Sequence, residues 1–297
     1  MLKLSQPMGY LFALTSAFLW ALVTIFYKDV GSKVSPVGMN IGKNIVAVVC
    51  IGVLLFSTGF GMVKSQTLFF LIMSGILGIA LGDTFFFMAL SRLKPSMAVL
   101  MTTAIPVLTI LFAVAFLNEH LSAISWTGCI LVITGIVIVL STRNLEDTKG
   151  VISVSGILYS LLAAVSCAAS VIFSKYALMS ISALEASFIR HLSGLAVLII
   201  WGGITARLGL WLKPLARDVK LMHKLFAASF LGTFLGTWLC LLGLQFTTAS
   251  AATVLNSTSP LFIIPLSGIL LKERIQKRSI VGTITAFIGV CIIIVGG

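Results

Sequence analysis

The chain repeats itself, and the repeated unit holds an odd number of apolar runs. A shift of 147 residues pairs Gly9 with Gly156, Leu11 with Leu158, Leu14 with Leu161, Ala17 with Ala164, Ile25-Phe26 with Ile172-Phe173, Lys28 with Lys175 and Ser35 with Ser182. A shift of 154 carries the remainder. It sets Gly78 and Gly82 on Gly232 and Gly236, Leu90 on Leu244, Ser96 on Ser250, Pro106 on Pro260, Glu119 on Glu273, Gly128 on Gly282 and Gly135 on Gly289. The seven-residue change in shift falls in the loop after the second run of each copy, where an insertion is tolerated most easily. The expected units are residues 1–145 and 146–297, linked by the polar stretch 142–150.

Each copy has five runs long enough to cross the hydrocarbon core as helices, which takes about 20 residues. They lie near 8–27, 36–57, 67–90, 96–117 and 124–141, then 153–174, 183–206, 225–246, 250–271 and 279–296. Hydrophobic residues make up 59% of the chain and charged residues 9%, with a mean hydropathy of +1.16. A soluble domain carries roughly 25% charged residues, so too little polar material exists to cover a water-facing surface. The expected fold class is therefore an all-α integral membrane protein with ten transmembrane helices. Because five is odd, the second copy enters the bilayer from the opposite side, giving two inverted five-helix repeats. Such repeats recur in transporters that bind their substrate near the midplane between the halves. Lys3 ahead of the first run gives it the look of a signal peptide, but the run has a repeat mate and is expected to be retained.

The net charge of +12 does not point to nucleic acid, because the basic residues sit in short gaps between apolar runs. Fifteen of them follow odd-numbered runs, against Lys3, Lys64 and Lys175 on the other side. By the positive-inside rule this places the odd loops in the cytoplasm and both termini outside. All five cysteines (Cys50, Cys129, Cys167, Cys240 and Cys291) fall within apolar runs without metal-ligand spacing. The three histidines, His120, His191 and His223, form no H-E-x-x-H or related motif, and no Walker sequence is present. Neither metal nor cofactor is expected, and the chain is not expected to be an enzyme. A membrane-embedded lipid-modifying enzyme and a channel-like subunit are the alternatives. The first lacks a nucleophile–base pair or a metal cluster, and the second fits an inverted twofold design less well than alternation does. The leading expectation is a secondary transporter moving a small metabolite (an amino acid, amine, nucleoside-like compound or organic acid) across the cell (inner) membrane. Its partners are the substrate, the lipid bilayer and a candidate coupling ion such as a proton, with the chain acting as a monomer or homodimer.

A buried charge in a membrane implies a partner or a function. Asp83 is the only acid deep in any run, and Lys43 lies at a similar depth, roughly 10–13 Å below the same face at 1.5 Å per residue. Asp83 therefore reads either as half of a structural ion pair or as a binder of a proton or a cationic group. Arg190 is the repeat mate of Lys43, but Thr237 stands where its acid would be. It reads either as an anion-binding guanidinium or as one held by helix carbonyls or reaching for the interface. His191 reads as packing. Trp20 and Trp238 fall inside runs rather than at their ends, which suits substrate stacking or core packing alike. Pro106 and Pro260 are expected to kink their helices as hinges or fixed bends. Before them, Thr102 and Thr103, and Asn256, Ser257, Thr258 and Ser259, offer polar groups to line a cavity or to satisfy the freed backbone. Glu119 and Glu273 are expected to stabilise the start of the helix that follows each of them, or to pair with Lys175 and Lys28.

The fourth- and ninth-run stretches carry a resemblance. They read Ser96-Met-Ala-Val-Leu-Met-Thr-Thr-Ala-Ile-Pro106 ending in Leu117-Asn-Glu119, and Ser250-Ala-Ala-Thr-Val-Leu-Asn-Ser-Thr-Ser-Pro260 ending in Leu271-Lys-Glu273. With Gly128, Gly282 and the opening Phe18-Leu-Trp20 followed by Lys28, the chain resembles the EamA family of the drug/metabolite transporter superfamily over nearly its whole length. It departs at Val165-Ser-Cys167, where the family often has a tryptophan. The resemblance implies a ten-helix exporter or importer of metabolites, amino acids or similar solutes. It also implies a central cavity lined by runs one to four and six to nine, with runs five and ten at the periphery.

Overall fold

The computed structural model describes residues 2–31, 33–90, 92, 104–144, 153–259, 261–262 and 277–296, and every regular element among them is helical. The first copy contributes α1 (Leu2–Gly31), α2 (Pro36–Thr58), α3 (Ser65–Gly75), a π segment π1 (Ile76–Gly82), α4 (Asp83–Leu90), α5 (Ala104–Leu117) and α6 (Ala123–Asn144). The second contributes α7 (Val154–Ala177), α8 (Ala183–Ile204), α9 (Leu208–Arg217), α10 (Val219–Ala228), π2 (Ser229–Gly236), α11 (Thr237–Phe246), α12 (Ala249–Asn256) and α13 (Lys277–Gly296). Among the described residues six helical stretches are long and apolar enough to cross a bilayer: Gln6–Val23, Pro36–Thr58, Ser65–Ala89, Val154–Ala177, Ala183–Ile204 and Val219–Phe246. Shorter apolar helices, Ala104–Leu117, Ala123–Ile138 and Ile280–Ile293, fall on the fourth, fifth and tenth expected runs. Much of the ninth lies outside the described residues.

The duplication reappears in the helix boundaries. α2 and α8 begin at Pro36 and Ala183, 147 residues apart, while α3 and α10 begin at Ser65 and Val219, 154 apart. Each of the first two is started by the same chemistry. Ser35 Oγ accepts the amide of Gly38, and Ser182 Oγ accepts that of Glu185, whose carboxylate returns to the Ser182 amide as a capping box. π1 and π2 end at repeat mates, Gly82 and Gly236. The insertion in the second copy is folded as α9, an amphipathic helix with Trp211 and Leu215 buried and Lys213 and Arg217 exposed, where the first copy has the short loop 59–64.

Contacts fix the relative directions of the helices. A Cβ on Gly128 would lie 2.9 Å from the carbonyl oxygen of Gly289, and one on Gly135 would lie 2.5 Å from that of Gly282. Only glycine lets these backbones meet. Residue numbers rise along α6 as they fall along α13, so the two helices are antiparallel. Each contact also maps onto the other under the repeat, as a twofold relation requires. α2 and α8 are antiparallel as well. The Gly61 amide donates to Glu185 Oε1 at 2.7 Å, Asn44 meets His191, and Ile41 clusters with Leu195 and Leu198. α1 lies along π2 and α11, with Ser16 Oγ donating to the Gly236 carbonyl at 2.8 Å and Tyr27 OH 2.7 Å from Thr233 Oγ1. α7 lies along α3, π1 and α4 in the same way, joined by Ser74, Ser170 and Ser174. α6 and α13 pack chiefly against each other. Outward-facing side chains such as Phe56, Phe116 and Phe287 are 93%, 60% and 66% exposed, a surface suited to lipid and not to water.

One expectation needs correction. Glu119 does not stabilise the helix that follows it. Its carboxylate accepts the amides of Ala249 and Ser250 at 2.6 and 3.2 Å, and Ser250 Oγ at 2.8 Å, so it caps α12 in the other copy. Lys175 donates nearby to the carbonyls of Leu244 (2.7 Å) and Thr247, at the turn leading into α12. Glu273 and Pro260 lie outside the described residues.

Candidate substrate-binding site

α2 carries Lys43 seven residues in from its start, and α4 opens with Asp83 directly after π1. Their side chains meet: Lys43 Nζ donates to Asp83 Oδ2 at 2.6 Å. The lysine side chain is 6% exposed and the aspartate 31%, so the carboxylate is the open end of the pair. The ammonium also lies 5.9 Å from the Trp20 ring centre and 5.6 Å from that of Phe87, within cation–π range. Trp20 in turn packs on π2, since a Cβ on Gly236 would stand 3.4 Å from its indole nitrogen. Trp20, a separate expectation from sequence, thus joins the Lys43–Asp83 pair in one cluster drawn from α1, α2 and α4.

The next residue along α2 links the halves. Asn44 Oδ1 accepts His191 Nδ1 at 2.7 Å, and these two residues are repeat mates, so the bond lies on the pseudo-twofold axis. Asn44 Nδ2 donates to the carbonyl and side-chain oxygens of Asn40 at 2.7 and 2.9 Å. Asn40 Nδ2 donates to the carbonyl of Ile79 at 3.0 Å, inside π1. π segments are rare and often mark functional sites, because the altered backbone phase leaves carbonyls for side chains to claim. Ile79 and Gly236 each give up a carbonyl in this way.

Across the axis the second copy differs. Arg190, the mate of Lys43, donates through Nη2 to Ser170 Oγ at 3.2 Å, and its Nε is buried without a partner. Cys167 takes the place of Trp20 and packs on Gly82, where a Cβ would meet its Sγ at 2.7 Å. Among the described residues the ion pair of this region is Lys43–Asp83.

The other expected residues stand apart from this cluster. Trp238 stacks on Phe234 at 6.1 Å and 15°, and it packs against the apolar group of Ala47, Ile51 and Leu55. Asn256 ends α12 with a buried, unpartnered Oδ1. Ser257 Oγ donates to the Thr253 carbonyl at 2.8 Å, and Thr258 and Ser259 bond the carbonyls of Leu255 and Asn256. Pro106 is buried near the described start of α5. Thr102 and Thr103 lie outside the described residues. A cavity of about 200 Å³ beside α5 and α6, lined by Val107, Ile110, Leu111 and Trp126, is apolar and separate from the charged cluster. No group of three His, Cys, Asp or Glu side chains gathers for a metal among the described residues. Asn40, Asn44, Phe87 and Ser170 were not anticipated. The four-residue spacing of Asn40 and Asn44 and the matching of Asn44 with His191 were the available signals.

Comparison with known proteins places this geometry in context. The pattern of the EamA-like transporter family matches residues 7–141 and 154–295. A protein of Archaeoglobus fulgidus, named as an uncharacterized transporter, is 26% identical over 285 residues, covering 96% of this chain and 97% of its own length. An uncharacterized transporter of Clostridium kluyveri is 24% identical over 224 residues, 74% of this chain and 70% of that one. A solved crystal structure superposes with a TM-score of 0.79 at 18% identity, covering 97% of this chain and 96% of its own, which establishes a shared fold.

Proposed function

Because the chain belongs to the EamA-like transporter family, we propose that it is a secondary transporter carrying a small metabolite across the cell (inner) membrane by alternating access. Its ten spans form two inverted units, residues 1–145 and 146–297, whose shared surface holds the substrate. Trp20, Lys43 and Asp83 form the part of the site contributed by the first copy, and Arg190 the part contributed by the second. The observation that carries this reading is the Lys43–Asp83 pair, held under Trp20 beside the Asn44–His191 bond on the repeat axis. Charges are costly in hydrocarbon, and those that persist there usually serve transport. A site on the axis of two inverted units faces either side in turn when the units rock.

Asp83, the more open member of the pair, is the group available to a coupling proton. Thr102, Thr103, Trp238, Asn256 and Ser257 complete the proposed set of substrate-binding residues. Pro106 and Pro260 serve as hinges. The reading makes the chain a carrier rather than an enzyme. Counterflow in proteoliposomes tests it: uptake of labelled solute should rise when unlabelled solute is loaded inside and should saturate. Flux that is indifferent to the trans solute and does not saturate would contradict it.

A further inference from the structure

The charges around the axis do not balance. Lys43 and Asp83 cancel across a 2.6 Å contact. Arg190 adds a positive charge whose one described hydrogen bond is from Nη2 to Ser170 Oγ, while Nε is sealed and unpartnered. The repeat makes the deficit plain, because the position equivalent to Asp83 is Thr237. Among the described residues the other titratable neighbours supply no negative charge. His191 is bonded to Asn44, and Cys167 and Cys240 are free thiols. Nor does the side chain escape to the interface. Arg190 lies seven residues into α8 and Ser170 seven residues before the end of α7, so at 1.5 Å per residue both sit roughly 10 Å from the same face. An uncompensated guanidinium at that depth is expensive unless something else pairs it.

We infer that the missing negative charge belongs to the substrate: the site takes an anion with a carboxylate or phosphate group, bound by Arg190, and discriminates against organic cations. Nε and Nη2 form one edge of a planar fork that matches two oxygens of such a group. Ser170 holds that edge in place, and is itself fixed by donating to the Ser74 carbonyl at 2.7 Å. The resting Lys43–Asp83 pair is neutral and so does not compete for the anion, and Trp20 beside it offers a face for the rest of the solute. Arg190 as a whole keeps partial exposure, and opening of the units on either side of the axis frees Nε for the incoming oxygen. This inference rests on the transporter reading above.

The test uses the full chain with four matched probes: 3-phenylpropionate, glycerol 3-phosphate, 3-phenylpropionamide and phenethylamine. Binding is read by thermal shift and transport by counterflow. The anions should bind and be carried, and Arg190→Gln should weaken anion binding at least tenfold. Thr237→Asp, which recreates in the second copy the carboxylate of the first, should do the same while Arg190 remains. That variant decides the matter if Arg190→Gln fails to fold. Transport of the amine or the amide with no binding of either anion overturns the inference and leaves the carrier reading standing. Anions that bind, lose affinity in both variants, but are not carried would support the anion site and contradict the carrier.

Discussion

Lys43 and Asp83 illustrate how a membrane interior handles charge. With side-chain exposures of 6% and 31%, neither ion is fully solvated and each depends on the other. Removing one partner strands the other, and the cost of breaking a buried pair is about 3 kcal/mol or more. Asp83→Asn should therefore lower unfolding stability by about 3 kcal/mol, and combining it with Lys43→Gln should recover part of the loss. A double-mutant cycle of denaturant unfolding measures this, and additive losses would show that the two residues are not coupled. The pairing was legible in sequence because two depths below one face could be counted along helices of known rise. The bond between Asn44 and His191 was legible only through the repeat, and His191 read as packing. Ser170 as the partner of Arg190 could not be foreseen, because it depends on how α7 and α8 each pack on α3 and π1, which no local pattern encodes.

At the scale of elements, the glycines divide into two kinds of contact. Gly128, Gly135 and Gly289 let α6 and α13 touch backbone to backbone, away from the charged cluster. Gly82 and Gly236 end the π segments and receive Cys167 and Trp20. Gly135→Leu would drive a side chain into the Gly282 carbonyl and Ala286, both within 2.6 Å of its Cβ. Overpacking of this kind costs about 1–3 kcal/mol. The variant should be less stable in detergent unfolding, yet its folded fraction should bind substrate with unchanged affinity. A tenfold loss of affinity would mean that α6 and α13 form part of the site. The repeat paired Gly82 with Gly236 and Gly135 with Gly289 without showing what they touch, and the π phase left no periodic signature. Glu119 was misassigned for a related reason. Its turn lies next to α6 in sequence, but the amides it accepts belong to α12, brought there by the interlocking of the copies.

For the whole molecule, the odd count of runs per repeat was enough to anticipate opposed halves, and the antiparallel contacts of α2 with α8 and α6 with α13 agree with it. A second copy facing the other way makes Trp20 and Cys167 equivalent positions viewed from opposite sides. In a carrier, a label at Trp20 is reached from each face of the membrane in turn, and substrate on one side shifts the balance. The direct measurement is two-sided labelling of Trp20→Cys, in a chain whose five native cysteines are replaced by serine, by an impermeant maleimide applied to right-side-out and inverted vesicles. The account predicts modification from both faces, with substrate changing the two rates in opposite directions. Modification from one face alone, at a rate that substrate leaves untouched, would contradict it.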